Sequence, residues 1–471
     1  MANSSQDLRR AALDIFTAAL QSADAYQAVR RALQFDKDAQ LLRIVNSELD
    51  LRAYANVYSI AIGKAACAMA TALTDVLGDK LAGGVVSSAE IACAPSRAWQ
   101  TFAGGHPLPN EASIAAAQAT VRLLRQANAS SSLIIFLVSG GGSAMLELPR
   151  FQNVTLADLR ATNNVLVNCG ATITEINSVR RALSAIKGGG LSVLAPRAAQ
   201  VTLIISDTNR GDEASVASGP SLPASTFSAD NNGDAADITA IIARHNLHTA
   251  LPQTVLRALE ESQAKPHAAT NDGLIENRTP RSCYVLLDND TVLASAAAAA
   301  RARGFIVEVA SDLIEQSIGD GCRQLVARLF DLRARTARGN TACLISGGEF
   351  ACPVRGSGIG GRNAEAALRC AIEIDARKEK LFHAPLNHAE NSYDGGIVAL
   401  HAGTDGIDGN SPAAGALADA MTLERAAAKN LNAREFLECS DAYSFFQTLG
   451  DTILTGATGT NVRDLRIMLA A

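Results

Sequence analysis

Leu133-Ile134-Ile135-Phe136-Leu137-Val138-Ser139-Gly140-Gly141-Gly142-Ser143-Ala144 is the stretch on which the fold turns. An unbroken apolar run closed by serine and glycine is what a strand buried on both faces looks like, the situation in a parallel sheet covered by helices. The glycines that follow let successive backbone N–H groups turn toward one point, as anion-holding loops require. Three more glycine-rich turns occur: Ile345-Ser346-Gly347-Gly348, Gly356-Ser357-Gly358-Ile359-Gly360-Gly361-Arg362-Asn363 and Gly403-Thr404-Asp405-Gly406-Ile407-Asp408-Gly409. Turns of this kind at strand ends predict a protein that grips a polyanion.

Working outward, Val57–Ile62 reads as a strand, and Gly63-Lys64-Ala65-Ala66 opens an Ala/Met-rich helix. Gly83–Val86 is a short strand, Thr101–Pro107 ends in a loop, and Asn110 caps another helix. A helical stretch over Leu156–Cys169 and a strand over Val201–Ile205 continue the alternation. It predicts an α/β fold with a doubly wound, mostly parallel, Rossmann-like sheet. Ser5–Ala32 has helical periodicity. The segment Pro223–Pro280 is the least patterned, with helices expected at Ala236–Arg244 and Gln253–Gln263 and a linker at Lys265–Pro280. Beyond it the pattern restarts with a Cys283–Leu287 strand, an Asn289 cap, an Ala-rich helix and a Phe305–Val309 strand. Two domains follow, 1–260 and 280–471, with the boundary within 245–280. The order of strand, SGG turn, strand and Asp-Gly turn is loosely shared by the two halves.

Bulk properties agree. A chain of 471 residues exceeds the usual span of one core. Hydrophobic residues at 48%, 36 glycines and aromatics at only 4% suit an α/β protein better than an all-β one. A net charge of −5 and a pI near 5.9 argue against nucleic acid or an anionic membrane as the main partner. Any anion must therefore be caught by local positive groups. The nine cysteines form no C-x-x-C pair and no Cys/His cluster of zinc spacing, so they read as reduced thiols of a cytoplasmic protein. Met1–Asp7 lacks the features of a signal peptide, and no apolar run approaches the roughly 20 residues that span a bilayer.

Individual residues carry the chemistry. Gly356-x-Gly358-x-x-Gly361 matches the dinucleotide fingerprint by spelling, but the preceding Ala351–Arg355 contains Pro353 and is a poor buried strand. Tyr58 stands where the leading glycine of a P-loop would be, which excludes that motif. With eight lysines against 34 arginines, Lys64 and Lys187 stand out because both lie beside glycine in apolar surroundings. At a helix N-terminus the dipole disfavours a cation, so Lys64 makes most sense when an anion completes its site; a snorkelling surface lysine is the bland alternative. Arg362, also at a helix start, offers a planar fork for phosphate or carboxylate, or an ion pair with a neighbouring carboxylate. Asp207, Asp405 and Asp408 follow strands, where a carboxylate can hold Mg²⁺, accept a hydroxyl proton or simply make a turn. His106, before Pro107, could orient a substrate.

Taken together, these strings resemble the class II glycerate kinases, the glycerate 2-kinase family with an N-terminal MOFRL-associated domain and a C-terminal MOFRL domain. The resemblance runs over nearly the whole chain. It is carried by Gly63–Ala66, Gly105–Pro109, Ser139–Ala144, Asn177-Ser178-Val179-Arg180-Arg181, Lys187-Gly188-Gly189, Ser206-Asp207 through Gly211-Asp212, and Ala217-Ser218-Gly219-Pro220. It continues through Gly360–Asn363, Gly403–Gly406 and Thr455–Leu465. Thr208-Asn209-Arg210 and Ala457 depart from the usual residues in their loops.

The resemblance implies ATP- and Mg²⁺-dependent phosphorylation of D-glycerate at its 2-hydroxyl. It also implies a smaller C-terminal α/β domain with a mixed sheet, and an active site in the cleft between the domains. Lys64 and Arg362 are then the key catalytic cations, flanking the transferring phosphoryl group. Ser139, Gly140, Gly141, Gly142, Ser143, Lys187, Gly360, Gly361, Asn363 and His106 bind phosphate or substrate. The residues alone leave the carboxylate roles open. The working assignment makes Asp207 catalytic and gives the metal to Asp405 and Asp408. D-glycerate and ATP are the partners, and the oligomeric state stays open, a homodimer being compatible. Two other classes compete: an NAD(P)H-dependent hydroxypyruvate reductase, and a non-catalytic sugar-acid binding protein.

Overall fold

The computed structural model describes residues 5–91, 96–222, 237–264, 280–382 and 396–471. Its chain forms two units and visits one of them twice: Ala25–Leu286 is one unit, and Met1–Asp24 joins Leu287–Ala471 in the other.

In the Ala25–Leu286 unit, strands β1 (Leu33–Asp36), β2 (Leu41–Ile44) and β3 (Ser47–Asp50) make a small antiparallel sheet. The main sheet holds β4 (Asn56–Ile62), β5 (Leu81–Ser88), β6 (Trp99–Ala103), β7 (Ser132–Ser139), β8 (Ala199–Ile205) and β9 (Arg281–Leu287), in the order β6-β5-β4-β7-β8-β9. The pairs β4–β5, β5–β6, β4–β7 and β7–β8 are all parallel. From β4 the chain winds outward through β5 to β6, then returns to lay β7 and β8 on the other side of β4. The winding reverses between β4 and β7, the place where open α/β sheets bind ligands. Every residue of β7 is buried, as the Leu133–Val138 run requires. Ile60, Ile134, Phe136 and Val138 share a core with Ala116 and Leu124 of helix Glu111–Gln126. Asn110 starts that helix by accepting the Ser113 N–H, in a reciprocal capping box.

The other unit carries β10 (Ile306–Val309), β11 (Ala342–Ser346), β12 (Ile397–Gly403), β13 (Gly415–Asp419), β14 (Thr452–Ile453) and β15 (Asp464–Ala470). Their order is β10-β11-β15-β12-β13-β14. Only β10–β11 is parallel, so this sheet is mixed. β15 comes last along the chain, yet it lies between β11 and β12 and is buried throughout. Helices Ile318–Arg335 and Arg362–Phe382 supply Leu325, Leu329, Cys370 and Ile374 to the core that includes Met468 and Ala470.

Helix Ser5–Ser22 belongs to this second unit, which divides the chain differently from a single boundary within 245–280. Its buried stripe of Leu8, Ala12, Ile15, Phe16 and Ala19 packs against helix Asn289–Ala302 and β12. Arg9 pairs with Asp419 and Asp451 of the same unit, and Asp14 with Arg303. The helical periodicity of Ser5–Ala32 is thus two helices, Ser5–Ser22 and Ala25–Ala32, and the break falls where the chain passes between units. Phe16→Ala should cost about 3–5 kcal/mol, the usual range for emptying a buried phenylalanine site. Chemical denaturation of wild type and variant, followed by a probe in residues 287–471, measures that loss.

Other local expectations need amendment. The Thr101–Pro107 stretch ends in a loop as expected, after the strand Trp99–Ala103, and the β1–β3 sheet lies in sequence left unread. Asp288, not Asn289, caps helix Asn289–Ala302 by accepting the Thr291 N–H at 2.8 Å. That leaves the Asn289 amide to bridge Val462 O at 2.7 Å and the Gly348 N–H at 2.9 Å. The expected linker Lys265–Pro280 lies, apart from Pro280, outside the described residues.

Candidate active site

Where β4 and β7 end, the first glycine turn and Lys64 meet. Gly63 has φ +111°, and a Cβ there would sit 2.4 Å from the backbone oxygen of Ser139, so no other residue fits. The Lys64 N–H donates to Gly140 O at 2.9 Å and the Ala65 N–H to Ser139 Oγ at 3.1 Å. Ser139 Oγ in turn donates to Ile62 O at 3.1 Å. These bonds stitch the two strand ends together and set half-buried Lys64 just ahead of helix Ala66–Leu77.

Asp207 and His106 close on the same turn. Asp207 follows β8, and a side chain at Gly140 would run into its carboxylate, 2.1 Å from Oδ2. The exposed His106 ring lies against Gly141, whose φ of +80° leads the chain into the short helix Gly142–Met145. Lys64, Ser139–Ser143, Asp207 and His106, widely separated in sequence, are therefore gathered at the switch point of one sheet.

Ser143 continues the site away from the strands. Its hydroxyl pairs with that of Ser218 at 2.9 Å, and Ser218 donates to Asn177 Oδ1 at 3.3 Å. Ala217 and Ser218 both have left-handed backbones, φ +53° and +63°, a strained state for residues with side chains. The glycine turn after Lys187 holds them there: the Gly188 N–H donates to Ser218 O at 3.0 Å and the Gly189 N–H to Gly219 O at 2.7 Å.

Lys187 itself differs from its expected role as a phosphate ligand. Only 1% exposed, its ammonium pairs with Glu147, whose carboxylate also accepts from Ser184 Oγ at 2.6 Å and the Leu148 N–H at 2.9 Å. Burial pushes the Lys187 ammonium below its ordinary pKa, and Glu147 offsets part of that shift. Lys187 anchors the segment that supports Ser218.

In the second unit, Arg362 is the first residue of helix Arg362–Phe382. Its guanidinium forks onto buried Asp464, at 2.6 Å from Nε and 3.1 Å from Nη2, and also meets Glu349 at 2.8 Å. Burial would lower its pKa, but the two carboxylates raise it overall. Asn363 ties the same corner together, its amide donating to Asp464 at 3.0 Å and Asp408 at 3.3 Å.

Asp408 caps this helix. Its Oδ1 accepts the Asn363 N–H at 2.9 Å and its Oδ2 the Ala364 N–H at 2.8 Å. Both oxygens are thereby engaged, which fits a cap better than a metal ligand. Asp405 is more exposed and accepts the Ile407 N–H at 3.2 Å. Among the described residues, no group of three or more His, Cys, Asp or Glu is arranged to hold a metal ion.

Burial drives the Asp408 pKa up to about 6, against the helix N–H groups, which pull it down, while Asp464 pushes it further up. A carboxyl raised in the fold favours its protonated state, so its contribution to stability is complete below about pH 3.8 and is lost as pH rises through about 6. Asp408→Asn should flatten that part of the melting-temperature profile between pH 4 and 6.5, relative to wild type. At pH 7.5 it should cost no more than about 1 kcal/mol, because Asn keeps one cap acceptor and removes a buried charge. A variant profile parallel to wild type would assign the slope to another group.

Sequence reasoning missed Asp464 and Glu349 as partners of Arg362, Glu147 as partner of Lys187, and the Ser218–Asn177 pair. Asp464 does stand within the Thr455–Leu465 string, but a pairing across 102 positions leaves no local pattern.

A doubly wound sheet with an anion-type turn at its switch point, joined to a mixed-sheet unit with an arginine at a helix start, is the architecture of an α/β enzyme acting on small anions. The chain matches a domain of unknown function (DUF4147) over residues 11–260 and the MOFRL family over residues 342–464. It is 32% identical to a protein of Thermotoga maritima named D-glycerate 2-kinase, across 88% of this chain and 90% of that one. It is 34% identical to a putative hydroxypyruvate reductase of Agrobacterium vitis, across 87% and 98%. Its fold matches the crystal structure of a glycerate kinase (EC 2.7.1.31) from Thermotoga maritima with a TM-score of 0.74 and 28% identity, over 99% of this chain and 100% of that one. The chain belongs to the class II glycerate kinase family.

Proposed function

We propose that the protein transfers the γ-phosphoryl group of Mg·ATP to the 2-hydroxyl of D-glycerate, giving 2-phosphoglycerate and ADP (EC 2.7.1.165). The observation that carries this reading is the meeting of Lys64, the Ser139–Ser143 turn and Asp207 at the switch point of one sheet. Phosphoryl transfer needs positioned oxygens and neutralised charge rather than covalent catalysis. Lys64 and Arg362 are the cations assigned to the transferring group, and backbone N–H groups of Ser139–Ser143 are the fixed dipoles that hold phosphate or substrate oxygen. Asp207, beside Gly140, is the carboxylate assigned to take the hydroxyl proton, and Asp405 is assigned to the metal of Mg·ATP. Asp408, Asn363, Gly360 and Gly361 then act through the geometry of Arg362. The D-glycerate 2-kinase name of the Thermotoga relative supports the 2-position.

The reductase reading, prompted by the Agrobacterium name, meets a physical objection. A dinucleotide site at Gly356–Gly361 would need the N–H groups at the following helix start for its pyrophosphate. Those of Asn363 and Ala364 already donate to the Asp408 carboxylate.

Purified protein given D-glycerate and Mg·ATP should form 2-phosphoglycerate and ADP, identified by coupled assay and NMR. NADH oxidation with hydroxypyruvate, and no ATP-dependent product, would overturn the reading; 3-phosphoglycerate would overturn the regiochemistry alone. Asp207→Asn should lower kcat by about 10²-fold or more with the Mg²⁺ dependence intact, the behaviour of a lost base. Asp405→Asn should instead raise the Mg²⁺ concentration needed for half-maximal rate. The opposite pattern would exchange the two roles.

A further inference from the structure

One face of helix Ile173–Leu183 carries Asn177, Arg180 and Arg181 at spacings of three and four, so their side chains are neighbours. Asn177 reaches the glycine turn through Ser218, which hydrogen-bonds both Asn177 and Ser143. Arg181 is tied to the same place: a Cβ on Gly188 would lie 3.0 Å from its Cδ, and the Gly188 N–H donates to Ser218 O. The wall that starts at Ser143 thus continues to the Asn177 amide and the Arg181 side chain, with Arg180 next to them on the same helix.

Both arginines are partly buried, and burial holds both below the ordinary guanidinium pKa. The hydrogen bonds of the Arg180 guanidinium go to a neutral acceptor, Asn163 Oδ1, at 3.1 Å from Nε. The Glu147 carboxylate, whose field favours the Arg180 charge, is engaged by Lys187, Ser184 and the Leu148 N–H. A guanidinium kept half dry against a neutral partner gains from the arrival of an anion, and its planar fork matches a carboxylate.

We infer that Arg180 and Arg181, with the Asn177 amide, form the seat for the carboxylate of the acceptor acid and thereby select hydroxy acids over neutral polyols. This rests on the kinase reading above. Ser143 would stand where that seat meets the phosphate-holding turn, so one short substrate could present its carboxylate to the arginines and its hydroxyl toward Asp207.

The test compares wild type, Arg180→Gln, Arg181→Gln and Arg181→Lys in the full-length protein. KM and kcat are measured separately for D-glycerate, for ATP and for glyceramide, the neutral amide of the same acid. The Gln variants should raise the KM for D-glycerate by about 10- to 100-fold, the scale of a lost charge-assisted hydrogen bond. The KM for ATP should stay within about twofold, the preference for D-glycerate over glyceramide should collapse by the same factor, and Arg181→Lys should recover part of it. An unchanged KM for D-glycerate overturns the assignment. So does a rise confined to ATP, or a parallel loss for all three substrates with a lowered melting temperature. If wild type phosphorylates no glycerate, the kinase reading fails by itself. Calorimetric binding of D-glycerate without ATP then decides the seat: binding lost in the Gln variants supports it, and binding retained or absent from wild type overturns it.

Discussion

Replacing Lys64 with alanine lowers kcat by about 10²-fold or more, the scale on which a preorganised charge acts, while the melting temperature stays near that of wild type. The two effects separate because of where the side chain begins. The structural work at this corner is done by the backbone of Gly63, Lys64 and Ala65 and by Ser139 Oγ. Alanine leaves all those backbone bonds in place. Lys64→Arg keeps a cation but exchanges a compact ammonium for a broad fork, so it should recover only part of the rate. Steady-state kinetics beside differential scanning fluorimetry measures both. A near-normal kcat in Lys64→Ala would return this residue to a surface role.

Arg362→Ala behaves differently, losing both rate and stability. Its guanidinium is the partner of Asp464, which is 1% exposed and accepts from Nε and Nη2. Removing it leaves a buried carboxylate with the Asn363 amide at 3.0 Å and Arg466 at 3.8 Å but without its close ion pair. With Arg362 itself about a third exposed, water can enter and soften the penalty to about 2 kcal/mol. The fall in kcat should again be about 10²-fold or more. Arg362→Lys should restore more stability than rate, since an ammonium can neutralise Asp464 but cannot fork onto it while also meeting Glu349. Normal kcat with lowered stability in Arg362→Ala would make the residue a structural ion pair.

How far these features could be read from sequence depends on the range of the forces behind them. The Leu133–Val138 run announces β7 because a strand buried on both faces can hold little else. Asn110 announces its helix because a cap is a contact over three residues. Strand ends were equally legible, which is why Lys64, Gly140 and Asp207 follow β4, β7 and β8 as the apolar runs before them suggested. Lys187 was misread because glycine neighbours resemble a phosphate loop, whereas its fate was settled by Glu147, 40 positions away. Asp408 looked like a ligand because Asp-Gly loops host metals as well as turns. Only the packing of Arg362–Phe382 onto that loop shows that its oxygens belong to a helix. The loose parallel between the two halves does not extend to their sheets, one parallel in its paired strands and one mixed.

The placement of β15 has a consequence for synthesis on the ribosome. Residues 25–286 emerge as a contiguous block that holds all of its strands but the last residue of β9, so that unit can form while translation continues. The other unit must wait. Its first helix is made before that block with Leu8, Ile15 and Phe16 uncovered, and its sheet lacks a middle until Asp464–Ala470 has been made. At about 5–20 residues per second, that leaves an apolar helix without its binding surface for some tens of seconds. A nascent chain stalled before Asp464 should therefore be a chaperone client through its N-terminal helix, and release of the last strand should end that dependence.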